Sequence, residues 1–346
     1  MGGETVDLAL DNLVLKGLLV FSASFLSSFL VMPKVIDFSR KRGFVGRDVH
    51  KDGQPMVPEM GGLGILFGVL VGSLAYCLAS LEVDVCLVVF TSCTLIAGAI
   101  GVWDYLKTLR GTVKTVLTIV ACAPIVIGWL LSPSEVVIGR PELPFVGRLR
   151  LTMVYWALLP LTIAVPANAV NMIDTFNGVM PITSTFSVLA LLISSIILER
   201  WEAAFMCLLL LGALMGFLPY NLYPSRVFAS DVGSLAVGAG IGAIAVLGRL
   251  EVVGIVALMP QIMNAFYILA SVRGLLERRQ ITERPTVVLG GNVIAANRSE
   301  KAPMTLANLI LSRGPLREPE LVKAYAVLSS FSFILALATA WFMVMR

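Results

Sequence analysis

Three stretches of this sequence group carboxylate or amide side chains within a chain that is otherwise strongly apolar. One of them, PANAVNMIDTFNGVM, places Asn168, Asn171, Asp174 and Asn177 directly after an apolar run. Carboxylate and amide oxygens are the ligands that hard cations take in proteins, and an amide can both donate and accept hydrogen bonds. The stretch is therefore either a polar loop that ends a helix or a binding site.

A second stretch, GVWDYLKTLRGTVK, contains one acid, Asp104, followed by Lys107, Arg110 and Lys114. An aspartate at the centre of a bilayer costs roughly 2.5–3.5 kcal/mol by insertion scales, and less near the membrane interface. Asp104 is therefore either an interfacial charge that pairs with a neighbouring base, or a metal ligand or general base that faces a phosphate.

The third stretch, YNLYPSRVFASDVGSLAVGAG, puts Asp231 in front of a run of small residues. This aspartate either caps a helix or, with Arg226 nearby at an exposed helix start, holds a magnesium-bound phosphate. Close helix packing is the expected role of most of the glycines. Two further segments, 48–62 and 273–288, are consistent on their own with an ordered loop and a basic membrane anchor.

The composition indicates which class of protein must position these residues. Hydrophobic residues make up 58% of the chain and charged residues 14%, and the mean hydropathy is +0.90, whereas soluble domains carry about 25% charged residues. Repeated apolar runs have about the 20 residues that a helix needs to cross a bilayer. The sequence predicts an all-α polytopic membrane protein with about ten spans, as one domain over 1–346 with a long cytoplasmic loop at about 272–322. We place the spans near 12–32, 61–80, 84–102, 115–131, 151–167, 180–198, 202–219, 232–248, 251–271 and 323–344.

The distribution of Lys and Arg predicts the orientation of these spans. One set of alternate connecting segments comprises 33–60, 103–114, 168–179, 220–231 and 272–322, and it carries 18 of the 26 Lys and Arg residues. The positive-inside rule makes this set cytoplasmic and both termini external. All three candidate stretches reach into this set, which favours a single site at the cytoplasmic membrane boundary. The 18 residues are Lys34, Arg40, Lys41, Arg42, Arg47, Lys51, Lys107, Arg110, Lys114, Arg226, Arg273, Arg278, Arg279, Arg284, Arg298, Lys301, Arg313 and Arg317.

Residue counts exclude several other kinds of site. The five cysteines all lie in apolar runs without a CxxC pair, so neither a disulfide framework nor a zinc site is expected. His50 is the only histidine, which excludes a cluster of histidine ligands and a Ser-His-Asp relay supported by a second histidine. We expect His50 in a solvated loop.

Together, these segments resemble the polyprenyl-phosphate N-acetylhexosamine-1-phosphate transferases, from about residue 48 to the last span. PMVPEMGGLGILFG is similar to the first cytoplasmic loop of the family, NAVNMIDTFNG to its N-x-x-N-x-x-D-G-x-D/N-G signature, and YPSRVFASDVGSL to its P-x-x-V-F-x-G-D-T-G-S-L motif. APMTLANLILSRGPLRE resembles the segment before the last span in the eukaryotic and archaeal branch. The resemblance implies an enzyme of the dolichyl-phosphate GlcNAc-1-phosphate transferase type rather than a peptidoglycan enzyme.

The resemblance assigns roles to individual residues. Asp104, Lys114 and Asp231 match catalytic positions, and Lys114 matches a lysine that meets the pyrophosphate. Asn171 and Asp231 match the residues that hold magnesium, so Mg²⁺ is the expected cofactor, with Mn²⁺ as the alternative. Tyr105 departs from the pattern, because it stands where the family has the second acid of an aspartate pair.

Five further positions match segments that bind substrate in the family. Asn177 matches the position that reads uracil, and Arg284 with Pro285 matches the basic motif of the last loop. Thr175 is a second departure, since the family often has glycine there, and the last loop of this chain lacks the histidines of the bacterial translocase. The five residues are Lys51, Glu59, Asp174, Asn177 and Arg284.

The implied reaction moves N-acetylhexosamine-1-phosphate, with GlcNAc-1-phosphate as the default, from a UDP-sugar to a polyprenyl or dolichyl phosphate and releases UMP. The expected partners are UDP-N-acetylhexosamine, the lipid phosphate, membrane lipid and a second copy of the chain as a homodimer, but no nucleic acid. We expect a multi-pass integral protein of an archaeal or prokaryotic plasma membrane rather than the ER membrane, with a cytoplasmic active site. The alternatives are a secondary transporter or flippase, with polar residues near the bilayer midplane, and a catalytically silent relative that acts as a scaffold.

Overall fold

The computed structural model describes residues 2–272 and 283–345, and most of them lie in helices. The helices are α1 (Gly2–Arg42), α2 (Gly62–Ser80), α3 (Val85–Lys107), α4 (Gly111–Val120), α5 (Ala123–Leu131), α6 (Thr152–Ile173), α7 (Val179–Ile197), α8 (Trp201–Asn221), α9 (Ser230–Leu247), α10 (Glu251–Ala257), α11 (Met259–Val272), α12 (Leu306–Leu311) and α13 (Glu318–Val344). Short antiparallel sheets lie between them. They pair β1 (Val45–Arg47) with β2 (Met56–Pro58), β3 (Glu142–Leu143) with β4 (Gly147–Arg148), and β6 (Val293–Ala296) with both β5 (Thr286–Leu289) and β7 (Leu316–Arg317).

The number and length of the helices agree with the predicted spans. Within the described residues, nine helical segments are long and apolar enough to cross a membrane, with α4 and α5 counted together as one. A tenth is added if α10 and α11, which meet at a bend of 69°, form one span. The prediction of an all-α polytopic membrane protein is therefore confirmed.

The helices continue beyond the predicted spans at the end of the bundle where the candidate residues lie. α3 continues to Lys107 and α6 to Ile173, so Asp104 and Asn171 lie on helices rather than in the loops where we predicted them. Asp231 likewise lies in the first turn of α9. A helix satisfies its own backbone hydrogen bonds, so it can carry polar side chains past the edge of the apolar layer. The candidate residues are therefore attached to regular, rigid backbone.

α9 is the central helix of the bundle and packs against α2, α3, α6, α7, α8 and α10. Glycines on α9 and on the facing helices permit close approach. A Cβ at Gly101 would lie 2.6 Å from the Cα of Val232, and a Cβ at Gly233 would lie 3.0 Å from the Cα of Gly62. At Gly233 the predicted packing role of the small residues after Asp231 is confirmed. The first turn of α9 consequently touches both α2 and α3.

The predicted long loop at 272–322 is folded over much of its described part. β5, β6 and β7 form one sheet, and α12 begins after Thr305, which forms a capping box with Asn308. Leu306 and Tyr325 belong to a small core that packs this unit against α13. Three of the predicted basic residues lie outside the described residues, namely Arg273, Arg278 and Arg279.

Candidate active site

Four side chains from four helices meet at one end of the bundle, and we call them the carboxylate cluster. They are Asp104 of α3, Lys114 of α4, Asn171 of α6 and Asp231 of α9. The Lys114 ammonium donates to Asp104 Oδ2 at 3.1 Å and to Asp231 Oδ2 at 2.6 Å. Asn171 Nδ2 donates to Asp231 Oδ1 at 2.7 Å. The structure thus brings together the residues predicted as catalytic and those predicted as metal ligands.

Asp104 is held by the turn that follows α3. Its Oδ1 accepts a hydrogen bond from the backbone N–H of Leu109 at 2.7 Å, and its backbone carbonyl accepts one from Thr108 at 2.7 Å. The turn leads directly into α4, whose first turn carries Lys114. Asp104 therefore pairs with a nearby base, as the simpler interpretation of its stretch required, and belongs to a larger cluster as well.

Asp231 does not cap α9, because the N-cap residue is Ala229 and no side chain caps the helix there. Its carboxylate faces Asn171 and Lys114 instead. Asn171 Nδ2 also donates to Ser234 Oγ at 2.8 Å. Sequence reasoning missed Ser234, although its position one helical turn after Asp231 places both side chains on the same face of α9.

Asn168, from the same stretch as Asn171, braces α6 against α4. Its Nδ2 donates to Thr118 Oγ1 at 3.0 Å and to the carbonyl of Ala164 at 2.8 Å. Thr118 lies one turn after Lys114, and Asn168 lies one turn before Asn171. The contact therefore fixes the spacing of the two helices that carry Lys114 and Asn171.

The donor atoms of the carboxylate cluster suit a hard divalent cation. Two carboxylates share one ammonium group, so the cluster keeps one formal negative charge, and its charged side chains are 12–29% exposed. Rotation of the Asn171 side-chain amide by half a revolution would exchange its nitrogen for its oxygen and present that oxygen to a cation. Among the described residues no group of three or more His, Cys, Asp or Glu side chains could hold a metal by itself. Two carboxylates and one amide are donors of the kind that Mg²⁺ takes, since it usually binds one or two carboxylates and completes its shell with substrate phosphates and water.

A second group of polar side chains joins the 48–55 loop to two other segments of the chain, and we call it the buried junction. It consists of Asp48, Lys51, Asn177 and Glu318. Lys51 Nζ pairs with Asp48, donates to Asn177 Oδ1 at 2.6 Å and lies 3.3 Å from Glu318 Oε2. The backbone N–H of Asn177 donates to Glu318 Oε1 at 2.6 Å. The junction ties the loop to the turn after α6 and to the first residue of α13.

Asn177 and Lys51, which the resemblance assigns to substrate binding, are engaged inside this junction. Asn177 is 5% exposed; its Oδ1 also accepts from the backbone N–H of Ser225 at 2.9 Å, and its Nδ2 donates to Asp48 Oδ2 at 3.3 Å. The predicted contact of Asn177 with uracil stays a prediction. Sequence reasoning missed Asp48 and Glu318, although the acidic start of the last span was a signal for Glu318.

An open cleft of about 460 Å³ lies between the 48–54 loop and β5. Lys51 and Arg284, two of the predicted substrate-binding residues, line it. Reciprocal hydrogen bonds connect its two walls: the Asp52 carboxylate accepts from the backbone N–H of Asn292 at 3.2 Å, and Asn292 Oδ1 accepts from the backbone N–H of Asp52 at 2.6 Å. The cleft therefore has defined walls, and its lining combines two basic side chains, Lys51 and Arg284, with two acidic ones, Asp52 and Glu283.

The remaining predicted residues lie close to these groups. Asp174 is the C-cap residue of α6, directly after Ile173. Glu59 lies at the base of the β1–β2 hairpin, where its backbone N–H donates to the carbonyl of Phe44 at 2.9 Å. His50, expected in a solvated loop, lies half-buried in the 48–54 loop, with its ring centroid 4.5 Å from that of Phe176. All the predicted site residues thus lie at the same end of the bundle.

Comparison with known proteins identifies the family. A model of glycosyl transferase family 4 matches residues 87–249, a range that contains the whole carboxylate cluster. A protein of Saccharolobus solfataricus, named provisionally as a UDP-N-acetylglucosamine–dolichyl-phosphate N-acetylglucosaminephosphotransferase, is 29% identical over 239 residues, which are 68% of this chain and 72% of the relative. A phospho-N-acetylmuramoyl-pentapeptide-transferase of Shouchella clausii is 31% identical over 253 residues, which are 69% of this chain and 77% of the relative.

A third relative covers nearly the whole chain. This protein of Methanocaldococcus jannaschii, named provisionally as a glycosyltransferase, is 26% identical over 329 residues, which are 92% of this chain and 94% of the relative. The resemblance found in the sequence motifs is therefore confirmed by these relatives and by the family model, whose matched range contains the clustered residues. The chain belongs to glycosyl transferase family 4.

Proposed function

We propose that this chain transfers N-acetylhexosamine-1-phosphate, with GlcNAc-1-phosphate as the favoured group, from a UDP-sugar to a polyprenyl or dolichyl phosphate and releases UMP. The names of the relatives from S. solfataricus and S. clausii support this reaction class, and the former supports the archaeal dolichyl-phosphate branch. The observation that carries the proposal is the carboxylate cluster. It gathers two carboxylates, an amide and a lysine from separate helices at one end of an apolar bundle.

The reaction exchanges one phosphoanhydride bond for another and needs no ATP. An oxygen of the lipid phosphate attacks the β-phosphorus of the UDP-sugar, the bond between that phosphorus and the bridging oxygen breaks, and UMP leaves with the bridging oxygen. The product is a lipid-diphosphate-linked sugar. The physical difficulty is to bring two anions together, and enzymes overcome it in phosphoryl transfer mainly by positioning and charge stabilisation.

The side chains of the cluster meet these requirements in different ways. Lys114 offers fixed positive charge to the pyrophosphate, and its bonds to Asp104 and Asp231 hold the ammonium group in place. Asn171 orients Asp231, and Ser234 in turn holds Asn171. Asp231, together with Asn171 after rotation of its amide, would hold Mg²⁺ or Mn²⁺, which would supply positive charge for the pyrophosphate and the leaving UMP.

Asp104 positions the acceptor phosphate or accepts its last proton. The second pKa of a phosphate monoester is about 6, so a lipid phosphate has already lost most of its second proton at neutral pH. A strong general base is therefore not required. A single aspartate, Asp104, can therefore be sufficient for the reaction at the end of α3, where Tyr105 stands in place of a second acid.

We place the uridine diphosphate of the donor in and beside the cleft between the 48–54 loop and β5. Arg284 lines this cleft and offers positive charge to a diphosphate, whereas the charge of Lys51, which also lines it, is already paired with Asp48 and Glu318. Asn177 holds Lys51 there through its bond of 2.6 Å. Asp174 lies in the same turn after α6, which joins the cleft to the carboxylate cluster.

We place this end of the molecule on the cytoplasmic face of an archaeal or prokaryotic plasma membrane. The support is the concentration of Lys and Arg in the connecting segments at the end of the bundle that carries the cluster. The UDP-sugar then arrives from the cytosol and the lipid phosphate from the inner leaflet. The expected homodimer is part of the proposal, and its test is the mass of the protein in detergent.

A secondary transporter or flippase is the alternative that the sequence leaves open. Such proteins place substrate-binding polar groups near the middle of the membrane, often at broken helices. The ion pairs among the described residues lie at helix ends or in connecting segments instead. This placement favours a reaction at the membrane surface over passage through the bundle.

The test measures UMP release by the purified protein in detergent, with UDP-GlcNAc and a polyprenyl phosphate as substrates. We expect release only when both substrates are present, its loss on adding EDTA, and its recovery with Mg²⁺ or Mn²⁺. Parallel reactions with UDP-N-acetylgalactosamine and UDP-glucose identify the sugar. If no UDP-sugar gave UMP release and the protein showed saturable solute uptake in proteoliposomes, the transferase hypothesis would be rejected in favour of the transporter hypothesis.

A further inference from the structure

Asn264 of α11 is a buried asparagine that joins two distant segments of the chain. Its side chain is almost fully buried, with 2% of the residue exposed. Its Nδ2 donates to the backbone carbonyl of Met172 at 3.0 Å, and its Oδ1 accepts from the backbone N–H of Leu306 at 3.0 Å. These partners lie 92 and 42 residues away along the chain. One end of the amide therefore holds the last turn of α6, and the other holds the first turn of α12.

Both contacts satisfy backbone groups that a helix cannot satisfy by itself. The carbonyls of the last turn of an α-helix and the N–H groups of its first turn have no partner within the helix. α6 ends at Ile173 and α12 begins at Leu306, so the two groups bonded to Asn264 are of this kind. Ile173 and Leu306 also belong to one small buried core. A buried backbone group without a partner is unfavourable, so a single amide stabilises both helix ends where they meet.

The contact with Met172 holds α6 directly beside Asn171. Met172 follows Asn171 in the chain, and Asn168, one turn earlier, donates to Thr118 Oγ1 of α4 at 3.0 Å. The turn that carries Asn171 is therefore held from two neighbouring helices, α4 and α11. A displacement of this turn would move the Asn171 amide relative to Asp231, to which it donates at 2.7 Å.

The contact with Leu306 leads to the segment that carries Arg284. Thr305 and Asn308 form the capping box at the start of α12. Asn308 Nδ2 also donates to the backbone carbonyl of Pro285 at 2.6 Å, directly after Arg284. The start of α12 is thus bonded to α11 on one side and to a wall of the cleft on the other.

We propose that Asn264 is a positioning residue for the transferase and sets the distance between Asn171 in the carboxylate cluster and Arg284 in the cleft. The inference rests on the function proposed above, in which the UDP-sugar extends from the cleft to the cluster. Such a donor requires a fixed spacing between the two places, because a misplacement of about 1 Å can cost about 100-fold in rate. Asn264 acts through the backbones that carry these residues, since both of its bonds go to backbone atoms.

Gln261 offers a matched control on the same helix. It lies three residues before Asn264 and is 0% exposed, and its Nε2 donates to Ser187 Oγ of α7 at 3.3 Å. This bond involves neither α6 nor α12. Q261M and N264L each replace a buried amide of α11 by an apolar side chain of similar shape, but only N264L removes the connection between Asn171 and Arg284.

The test measures UMP release with UDP-GlcNAc and the lipid phosphate varied separately, and UDP binding by calorimetry in the presence of Mg²⁺. We expect N264L to raise KM for UDP-GlcNAc and Kd for UDP by at least about 10-fold, with KM for the lipid phosphate within about 2-fold of the wild type. Q261M should leave all three values unchanged. R284A/N264L should lose less than the two single variants predict together, because both act on the same contact of the donor. A purely structural role would lower the amount of folded protein, and with it kcat, without changing either KM.

The contact with α12 can be tested separately while Asn264 is left intact. Proline is tolerated at the first position of a helix, so L306P removes the N–H that donates to Asn264. L306A loses the same packing but keeps this N–H. We expect L306P to raise KM for UDP-GlcNAc at least about 3-fold more than L306A does.

Thermal unfolding in detergent establishes which variants fold. A folded N264L with wild-type KM and Kd overturns the inference, and so does an equal rise of both KM values, an equal change in Q261M or an additive loss in R284A/N264L. If N264L does not fold, a larger KM for L306P than for L306A supports the inference, and equal values refute it. A wild-type protein that binds UDP but releases no UMP refutes the proposed function alone, and the Kd of N264L for UDP then decides the inference. A wild type that does neither refutes both.

Discussion

The carboxylate cluster and the buried junction contain the same kinds of side chain, but they differ in exposure and in the partners they use. Each combines two acids, one lysine and one asparagine. The charged side chains are 12–29% exposed in the cluster and 1–10% exposed in the junction. In the cluster, Asn171 contacts its partners through the amide nitrogen alone, whereas in the junction Asn177 uses both ends of its amide. The cluster thus has capacity left for a ligand.

This difference shows that residue types alone do not separate a site from a structural joint. A buried charge is tolerated only when it is paired and hydrogen-bonded. Lys51 meets this condition inside the protein, with oxygens of Asp48, Asn177 and Glu318 around it. We expect substitutions in the cluster to remove activity at little cost in stability, and substitutions in the junction to lower stability first.

The largest effect on activity is expected for D231N. The amide keeps the shape of the side chain but removes the charge that faces Lys114 and the proposed metal, so UMP release should fall by at least about 100-fold. Size exclusion in detergent should remain as for the wild type. A wild-type rate in this variant would remove Asp231 from the reaction.

G101A tests whether helix spacing determines the geometry of the cluster. The added Cβ would lie 2.6 Å from the Cα of Val232, so the start of α9 must shift and carry Asp231 with it. We expect about a 10-fold loss of UMP release and a destabilisation of about 1–3 kcal/mol. G290A is the matched control, because nothing lies within 4 Å of a Cβ at Gly290. Equal behaviour of the two variants would contradict the packing argument.

E318Q tests the junction. The substitution removes one of the charges around Lys51 in a site where Glu318 is 1% exposed. We expect a destabilisation of about 1–3 kcal/mol, measured by thermal unfolding in detergent, with a smaller loss of UMP release than in D231N. A loss as large as that of D231N, in a protein of wild-type stability, would make the junction part of the catalytic site.

The smallest effect on activity is expected at the opposite end of the bundle, for E142Q. Glu142 Oε1 lies 2.9 Å from Arg148 and 3.0 Å from Arg200. Burial by itself would raise the pKa of Glu142, but the two arginines outweigh it and lower the pKa from its ordinary value of 4.5. The folded-state pKa thus lies below the unfolded one, so the ionised carboxylate stabilises the fold above about pH 4.5 and loses this effect as the pH falls through the folded-state pKa.

E142Q should therefore unfold at a lower temperature than the wild type at pH 7, and the two should converge below about pH 4.5. UMP release at pH 7 should be unchanged, since these residues lie far along the helices from the carboxylate cluster. Thermal unfolding across this pH range measures the first expectation. A reduced rate of UMP release in a folded E142Q would show that the two ends of the bundle are coupled.

Much of the architecture followed from hydrophobicity alone. Apolar length predicted about ten spans, and the part of the chain that the structure describes has nine or ten. The ends of these spans were less predictable, because a hydropathy window stops at the first polar residues. Asp104 and Asn171 fall outside the windows, yet α3 and α6 continue through them. Backbone hydrogen bonding continues a helix where side-chain polarity ends the apolar run.

The cluster itself was predictable because its members occupy family motifs. Ser234 could have been found from its helical spacing to Asp231. Asp48 and Glu318 could not have been joined to Asn177 from the sequence, since 129 and 141 residues separate them along the chain from that partner.

The sequence by itself therefore determined the membrane class and the residues able to do chemistry, because these depend on composition, local periodicity and motif. The tertiary structure alone decided which of two similar polar groups is sealed and which is open. Those outcomes depend on glycine-mediated helix contacts and on side chains brought together from distant segments, and neither is encoded in any local stretch of the chain.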